Sequence, residues 1–136
     1  MVRGIVHDPL LLAQKSEPAT EKDRRIISDL ADTLNANRDR CVGMAANMIG
    51  ERKSIIVFFN GPLLMTMVNP KITKKSGEYT AEEGCLSLAG VRQAKRWKEI
   101  TVSYLDESFR PRTGVFRGFT AQIIQHECDH CEGVLI

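Results

Sequence analysis

The pattern of apolar positions predicts a helix near the start of the chain. Apolar residues recur at helical spacing at Ile26, Ile27, Leu30, Ala31 and Leu34. Thr20 precedes them as a candidate N-cap, and Asp23 follows it by three residues, as in a capping box. We therefore expect one structural helix here, with a charged face that includes Asp29 and is exposed to solvent.

The middle of the chain has the shorter period of β-strands. The apolar run at 54–59 predicts a buried strand, and 63–68 predicts a second one that 71–75 extend. Ser76 and Gly77 are expected to turn the chain into 79–86. Residues 100–104 alternate between apolar and polar side chains, and 115–116 form a last short strand. The short connections favour antiparallel pairing.

The last apolar run leads into a segment with metal-binding character, Gln125-His126-Glu127-Cys128-Asp129-His130. The preceding apolar residues predict a helix that Thr120 caps and Gly133 ends. On a helix, residues four apart lie about 40° apart around the axis, so His126 and His130 can chelate one ion. Glu127 lies beside them, where it could act as a general base toward water on that ion.

A catalytic site of this kind usually has three protein ligands and an open position for water. Gly133 fits the extended pattern His-Glu-x-x-His-x-x-Gly-x-x-His, but Ile136 stands where the last histidine belongs. Because the sequence ends there, we expect the third ligand upstream, where the candidates are the carboxylates, His7, Cys41 and Cys85.

Cys85 is the strongest of these candidates. A glycine before it allows the backbone to approach closely, and a thiolate binds divalent ions strongly. Cys41 fits better as a small buried residue, and His7 as a surface histidine. Cys128 and Cys131 lie on the helix face opposite the histidine pair, so we expect them to pack in the interior.

Composition limits the remaining possibilities. The chain has 136 residues, a net charge of +2 and 26% charged residues, which is typical of a single domain over 1–136. It has no basic tract, apolar span or signal peptide, so neither nucleic-acid nor membrane binding is predicted, and a cytoplasmic location is expected. The predicted fold class is α+β, with small antiparallel β-sheets around a buried C-terminal metal-binding helix, plus one N-terminal helix.

Three short segments stand out in this framework. They are Gly43-Met44-Ala45-Ala46, Glu83-Gly84-Cys85-Leu86-Ser87 and Gln125-His126-Glu127-x-Asp129-His130. In this order they resemble the three motifs of the peptide deformylases, and the resemblance extends over nearly the whole chain. It implies a metal-dependent hydrolase that removes the formyl group from N-formylmethionyl nascent peptides of bacteria, with one divalent ion held by Cys85, His126 and His130.

The resemblance also implies the catalytic roles. Glu127 would take a proton from the attacking water and pass it to the departing amine, while the backbone N–H of Leu86 would donate to the oxyanion. A cysteine with two histidines accepts iron, zinc, nickel or cobalt, and the resemblance favours Fe(II) as the physiological ion. The substrate methionine needs an apolar pocket, for which the candidate residues are Gly43, Met44, Met48 and Ile123.

The first motif departs from the family pattern at two positions. Met48 stands where the family has a glutamine that donates to the oxyanion, and Cys41 replaces the first glycine. A thioether has no N–H to donate. Since the loss of one oxyanion donor typically costs about 10²- to 10³-fold in rate, slow turnover is expected. Asn47 is adjacent, but its shorter amide starts from a Cα that points elsewhere.

Two further residues are candidates for supporting the ligands. Arg96 can pair with Glu83, and Asp129 can accept a hydrogen bond from a ligating histidine, as carboxylates near metal sites commonly do. Both side chains also fit ordinary structural roles.

Three functions follow from these residues. The first is deformylation with reduced turnover, the second is hydrolysis of another acyl group by the same ligands, and the third is recognition of peptide amino termini without catalysis. The sequence ends soon after the metal helix, without the long terminal helix that some family members use at the ribosome. Apart from its nascent-peptide substrates, we therefore expect the protein only to come close to the ribosome transiently.

Overall fold

The computed structural model describes all 136 residues and contains one antiparallel sheet flanked by helices. Five strands pair in chain order: β1 (Gly43–Ala45), β2 (Ile55–Asn60), β3 (Leu63–Gly84), β4 (Val91–Leu105) and β5 (Pro111–Arg117). The helices are α1 (Pro9–Leu12), α2 (Arg24–Ala36) and α3 (Gly118–Cys131), and 3₁₀ turns span Glu21–Asp23 and Ala46–Ile49. The predicted α+β class and antiparallel pairing are confirmed, and the strands form a single sheet. None of the three helices combines the length and the hydrophobicity of a membrane-spanning segment.

The sheet separates two hydrophobic clusters, because side chains alternate between its faces. On one face, Val57 of β2 packs in a cluster with Leu30 of α2. On the other face, Ile56 packs in a cluster with Ile124 of α3. The C-terminal helix is therefore buried against the sheet, as predicted, and the strands beneath it determine where its functional side chains lie.

The predicted turn at Ser76 and Gly77 is wrong, because β3 runs through both residues. Ser76 pairs with Glu99 and Glu78 pairs with Trp97 on β4. Gly77 has a φ of 77°, a conformation that glycine adopts without strain both in turns and in irregular strand positions. The connection between β3 and β4 comes only at residues 85–90, which carry the second motif.

The N-terminal helix is confirmed, and so is the capping box formed by Thr20 and Asp23. Its charged face is not entirely in solvent, however. Asp29 is only 3% exposed, and its carboxylate accepts a hydrogen bond from Arg3 at 3.0 Å. Ion pairs with the N-terminal ammonium of Met1 and with Arg3, both at 3.0 Å, offset the cost of burying this carboxylate.

Helix α3 ends where it was predicted to end, but it begins earlier than predicted. The helix begins at Gly118 after an N-cap at Arg117, so the predicted Thr120 cap is wrong. At the other end, Gly133 has a φ of 78° and its N–H donates to the His130 carbonyl at 3.0 Å. Val134 N–H donates to the Asp129 carbonyl at 2.9 Å, which completes a Schellman motif.

Candidate active site

Three side chains from two distant segments converge beside α3. His126 and His130 lie on one face of the helix, with their Nε2 atoms 3.1 Å apart. Cys85, from the loop after β3, places its Sγ 3.3 Å from the Nε2 of His130. The ligand atoms of the three residues all lie within 4.8 Å of one another. The structure therefore brings together the three predicted ligands.

This set of side chains fits a divalent metal ion. One thiol and two imidazoles match the ligand types of three-ligand catalytic sites, which leave a coordination position for water. Burial, together with the nearby charge of His126, lowers the pKa of His130 to about 3, so that its ring is in the neutral form that binds metals. Burial would also lower the pKa of His126, but hydrogen bonds with Cys85 and Glu83 raise it to about 10. Metal binding must therefore displace a proton from this ring.

Glu83, at the end of β3, orients the first of these histidines. Its Oε1 lies 2.8 Å from His126 Nδ1, which leaves Nε2 directed toward the ligand cluster. Burial acts to raise the pKa of Glu83, but the hydrogen bonds from His126 and Arg96 outweigh it and lower the pKa to about 2. From the sequence, Glu83 was predicted to pair with Arg96. Its contact with His126 was not predicted.

Arg96 of β4 holds Glu83 through two nitrogens. Nη2 and Nε donate to the two carboxylate oxygens at 2.7 and 2.9 Å, which confirms the predicted pair. The third donor, Nη1, reaches Asp129 at 2.7 Å. Asp129 was predicted to support a ligating histidine directly, whereas the structure connects it to His126 only through Arg96 and Glu83.

Glu127 lies next to the ligands and is nearly completely buried. Its side chain is 4% exposed, and its Oε1 has no hydrogen-bond partner within the protein. Burial raises the pKa of this carboxyl group to about 7. A group that holds and releases a proton near neutral pH is suited to general acid–base chemistry.

Strand β1 passes directly over Glu127. A Cβ added to Gly43 would lie 3.0 Å from Glu127 Oε2 and 2.7 Å from Ile123 Cγ2, closer than packed side chains tolerate. Glycine at this position therefore allows the backbone of β1 to lie against the carboxylate.

A cavity of about 470 Å³ opens beside these residues. Its wall includes the predicted residues Gly43, Met48 and Ile123, together with Cys85, Leu86, His126 and Glu127. The fourth predicted wall residue, Met44, does not line it and is fully buried in the cluster with α2. Met44 projects to the opposite face from Gly43, because neighbouring side chains on a strand alternate.

Several residues of the cavity wall were not predicted from the sequence. Phe119, Gln122 and Arg40 also line it. Phe119 precedes Ile123 by one helical turn, and Gln122 precedes His126 by the same interval, so helical spacing could have identified both. Arg40 lies in a turn before β1, where no periodicity exists.

Cys41 also lines the cavity and is only partly buried. Its thiol donates to the Gly43 carbonyl at 3.0 Å, and burial raises its pKa to about 11. It is outside the ligand group. On the far face of α3, Cys131 is buried in the second cluster and Cys128 packs against it, as predicted.

The position of the family glutamine is occupied by a side chain without a donor. Met48 is 1% exposed, and its sulfur accepts a weak hydrogen bond from Ala45 N–H at 3.5 Å. The adjacent Asn47 does not replace the glutamine, because its Nδ2 donates to the His130 carbonyl at 2.9 Å. Leu86, the other residue predicted to donate to the oxyanion, lines the cavity.

Comparison with known proteins gives a consistent result. Residues 3–136 match the polypeptide deformylase family. The chain is 56% identical to a peptide deformylase of Clostridium beijerinckii over the full length of both chains. Its structure resembles the crystal structure of a peptide deformylase from Legionella pneumophila, with a TM-score of 0.89 and 32% identity over 99% of this chain and 83% of that one. A Met-Ala-Ser-bound peptide deformylase from Acinetobacter baumannii also has a TM-score of 0.89, with 27% identity over 99% and 97% of the two chains.

Proposed function

The chain belongs to the peptide deformylase family, whose members are metal-dependent hydrolases that remove the formyl group from N-formylmethionyl peptides, and we propose which of its residues carry out this reaction. Cys85, His126 and His130 hold one divalent ion, Glu127 transfers the proton, and the N–H of Leu86 donates to the oxyanion. The observation that carries this assignment is the convergence of three ligand atoms within 4.8 Å beside a buried carboxylate on the wall of the cavity.

The metal site has the composition of a thiolate and two imidazoles. When bound there, a divalent ion supplies Lewis acidity, which lowers the pKa of a water molecule and polarises the formyl carbonyl. We propose Fe(II) as the physiological ion, with zinc, nickel or cobalt as alternatives in purified protein. The ligand set supports all four ions, because a thiolate and imidazoles suit each of them.

Glu127 acts as general base and then as general acid. Its carboxylate takes a proton from the attacking water and passes it to the departing nitrogen, so that the products are formate and a free α-amine. The burial that raises its pKa to about 7 favours this exchange near neutral pH. The backbone of Gly43 lies against its side chain and restricts its movement.

The negative charge that develops on the formyl oxygen needs donors fixed in advance. Leu86 N–H is such a donor, but the side chain of Met48 is not. We therefore expect slower turnover than a glutamine at this position would give. This expectation rests on the buried thioether of Met48 and on the engagement of Asn47 with α3.

The cavity suits a methionine side chain at its apolar wall. Ile123, Met48 and Phe119 provide this wall close to Glu127. We infer that the substrates are N-formylmethionyl nascent peptides, which arise at the ribosome in the bacterial cytoplasm, so that the protein acts close to the ribosome. The Met-Ala-Ser ligand of the Acinetobacter baumannii relative supports a short methionyl peptide in the equivalent cavity.

The first test is formate release from formyl-Met-Ala-Ser by protein purified without oxygen and with its metal content measured. We expect activity in the native protein and a loss of about 10²- to 10⁴-fold in Glu127→Gln at unchanged metal content, because general acid–base catalysis contributes about that much. Met48→Gln should increase kcat by up to about 10²-fold, since it restores one oxyanion donor.

Acetyl-Met-Ala-Ser serves as the control substrate for the alternative hydrolase function. Hydrolysis of the acetyl peptide in preference to the formyl peptide would contradict deformylation. A fully metallated native protein that releases no formate, while Met48→Gln does, would show that the site has been retained without rapid deformylation.

A further inference from the structure

The loop that joins β3 to β4 has few hydrogen bonds, although it carries two residues that we propose take part in the reaction. Residues 85–90 contain the Cys85 thiol and the Leu86 N–H, yet they take part in none of the backbone–backbone hydrogen bonds outside the helices and strands. Arg92 donates to the Ala89 carbonyl at 3.3 Å, but it belongs to the same hairpin. The loop therefore needs a contact from elsewhere to hold its backbone in one orientation.

His7 makes that contact. Its Nδ1 lies 2.9 Å from the carbonyl oxygen of Ser87. A carbonyl can only accept, so Nδ1 carries the proton and donates, an assignment that follows from the partner. The bonded carbonyl is one residue beyond Leu86, in a part of the loop where Ser87 itself is 3% exposed. His7 is thus the one residue outside the hairpin that hydrogen-bonds to the backbone of this loop.

The segment that carries His7 is itself attached to the first motif. The N–H of Val6 donates to the Met48 carbonyl at 2.8 Å. Ile5 packs against the same hydrophobic cluster as Cys85 and Leu86. Residues 5–7 therefore connect the two sides of the cavity wall on which the oxyanion would lie.

We propose that His7 is a positioning residue for the reaction. By holding the Ser87 carbonyl, it fixes the direction in which the Leu86 N–H and the Cys85 thiol point. The inference rests on the proposed function, because it takes the Leu86 N–H as the oxyanion donor. A displacement of about 1 Å in such a group can cost about 10²-fold in rate. The apolar wall proposed for the methionine side chain lies instead on α3 and on the 3₁₀ turn after β1.

The test compares His7→Leu with His7→Asn. Leucine has a similar shape but no donor, and asparagine places an N–H at the same number of bonds from Cα as histidine Nδ1. We expect His7→Leu to lower kcat by about tenfold with KM changed by less than about twofold, since a loosened donor costs less than a missing one. Hydrogen exchange of a peptide fragment covering 85–90 should become faster. His7→Asn should restore both kcat and slow exchange.

Asp8→Ala is the matched control. It removes the side-chain cap of α1, in which Asp8 accepts from Leu10 N–H at 3.0 Å, and it leaves the neighbouring His7 in place. We expect it to leave kcat and the exchange of 85–90 unchanged. The proposal is overturned if His7→Leu behaves like the native protein, if His7→Asn does not recover, or if Asp8→Ala gives the same defect. If the native protein releases no formate, the assigned function fails, and the exchange data still decide whether His7 positions the loop.

Discussion

At the scale of single residues, Gly43 has the tightest geometric requirement in the site. We predict that Gly43→Ala lowers kcat for formyl-Met-Ala-Ser by about 10²-fold, because the new Cβ would displace the Glu127 carboxylate and Ile123, and a shift of about 1 Å can cost that much. Gly4→Ala is the control, since a Cβ there meets nothing within 4 Å. A Gly43→Ala enzyme with native kcat would show that the carboxylate tolerates displacement.

Two of the proposed ligands and the proposed base could be predicted from the sequence because their spacing is local. His126, Glu127 and His130 occupy fixed positions on one helix, and helical geometry alone places them together. Cys85 was selected from its context, as a thiol that follows a glycine upstream of the helix, since no local rule brings a loop residue to a helix. The resemblance between motifs then supported the same choice. Met44 was misplaced because the alternation along β1, which directs it away from Gly43, was not applied to a strand of three residues.

At the scale of elements, Arg96 joins β4 to the end of β3 and to α3. We predict that Arg96→Met destabilises the fold by about 3–5 kcal/mol, because it breaks a buried ion pair and leaves the Glu83 carboxylate with only its contacts to His126 and Gln122. The measurement is the free energy of unfolding from urea denaturation.

Arg117→Met provides a matched control on the same sheet. Arg117 bonds to Glu99 at 2.7 Å, the same distance as the Arg96–Glu83 contact, but its side chain is 69% exposed. An exposed pair contributes about 0–1 kcal/mol, so this variant should be nearly as stable as the native protein. If both variants lost the same free energy of unfolding, burial of the Arg96–Glu83 pair would not explain its contribution to stability.

The elements themselves were predicted best where a single period extends over many residues. The period of α2 and the buried run of β2 were read correctly, whereas the length of β3 was not. Gly77 explains this error, because a positive φ serves a turn and a strand irregularity equally well. Only the continued pairing of Glu78 with Trp97 on β4 distinguishes them, and that pairing is not local information.

At the scale of the whole molecule, the proposed metal ligands come from segments that are far apart in the chain. Cys85 directly follows the first long strand of the hairpin, while His126 and His130 lie on the last helix. An ion that binds this folded arrangement, and binds the unfolded chain less well, must stabilise the fold. The same contacts that form the site therefore contribute to the stability of the domain.

We predict that removing the metal with a chelator lowers the melting temperature. An ion at 1,000 times its dissociation constant contributes about 4 kcal/mol, which corresponds to a decrease on the order of 10 °C for a domain of this size. Cys85→Ser should reduce this decrease, since one ligand is weakened. Cys41→Ser should retain it in full, because Cys41 lines the same cavity but is outside the ligand group. Thermal unfolding of the three proteins with and without chelator checks the prediction, and an equal decrease in Cys85→Ser and the native protein would place the ion elsewhere.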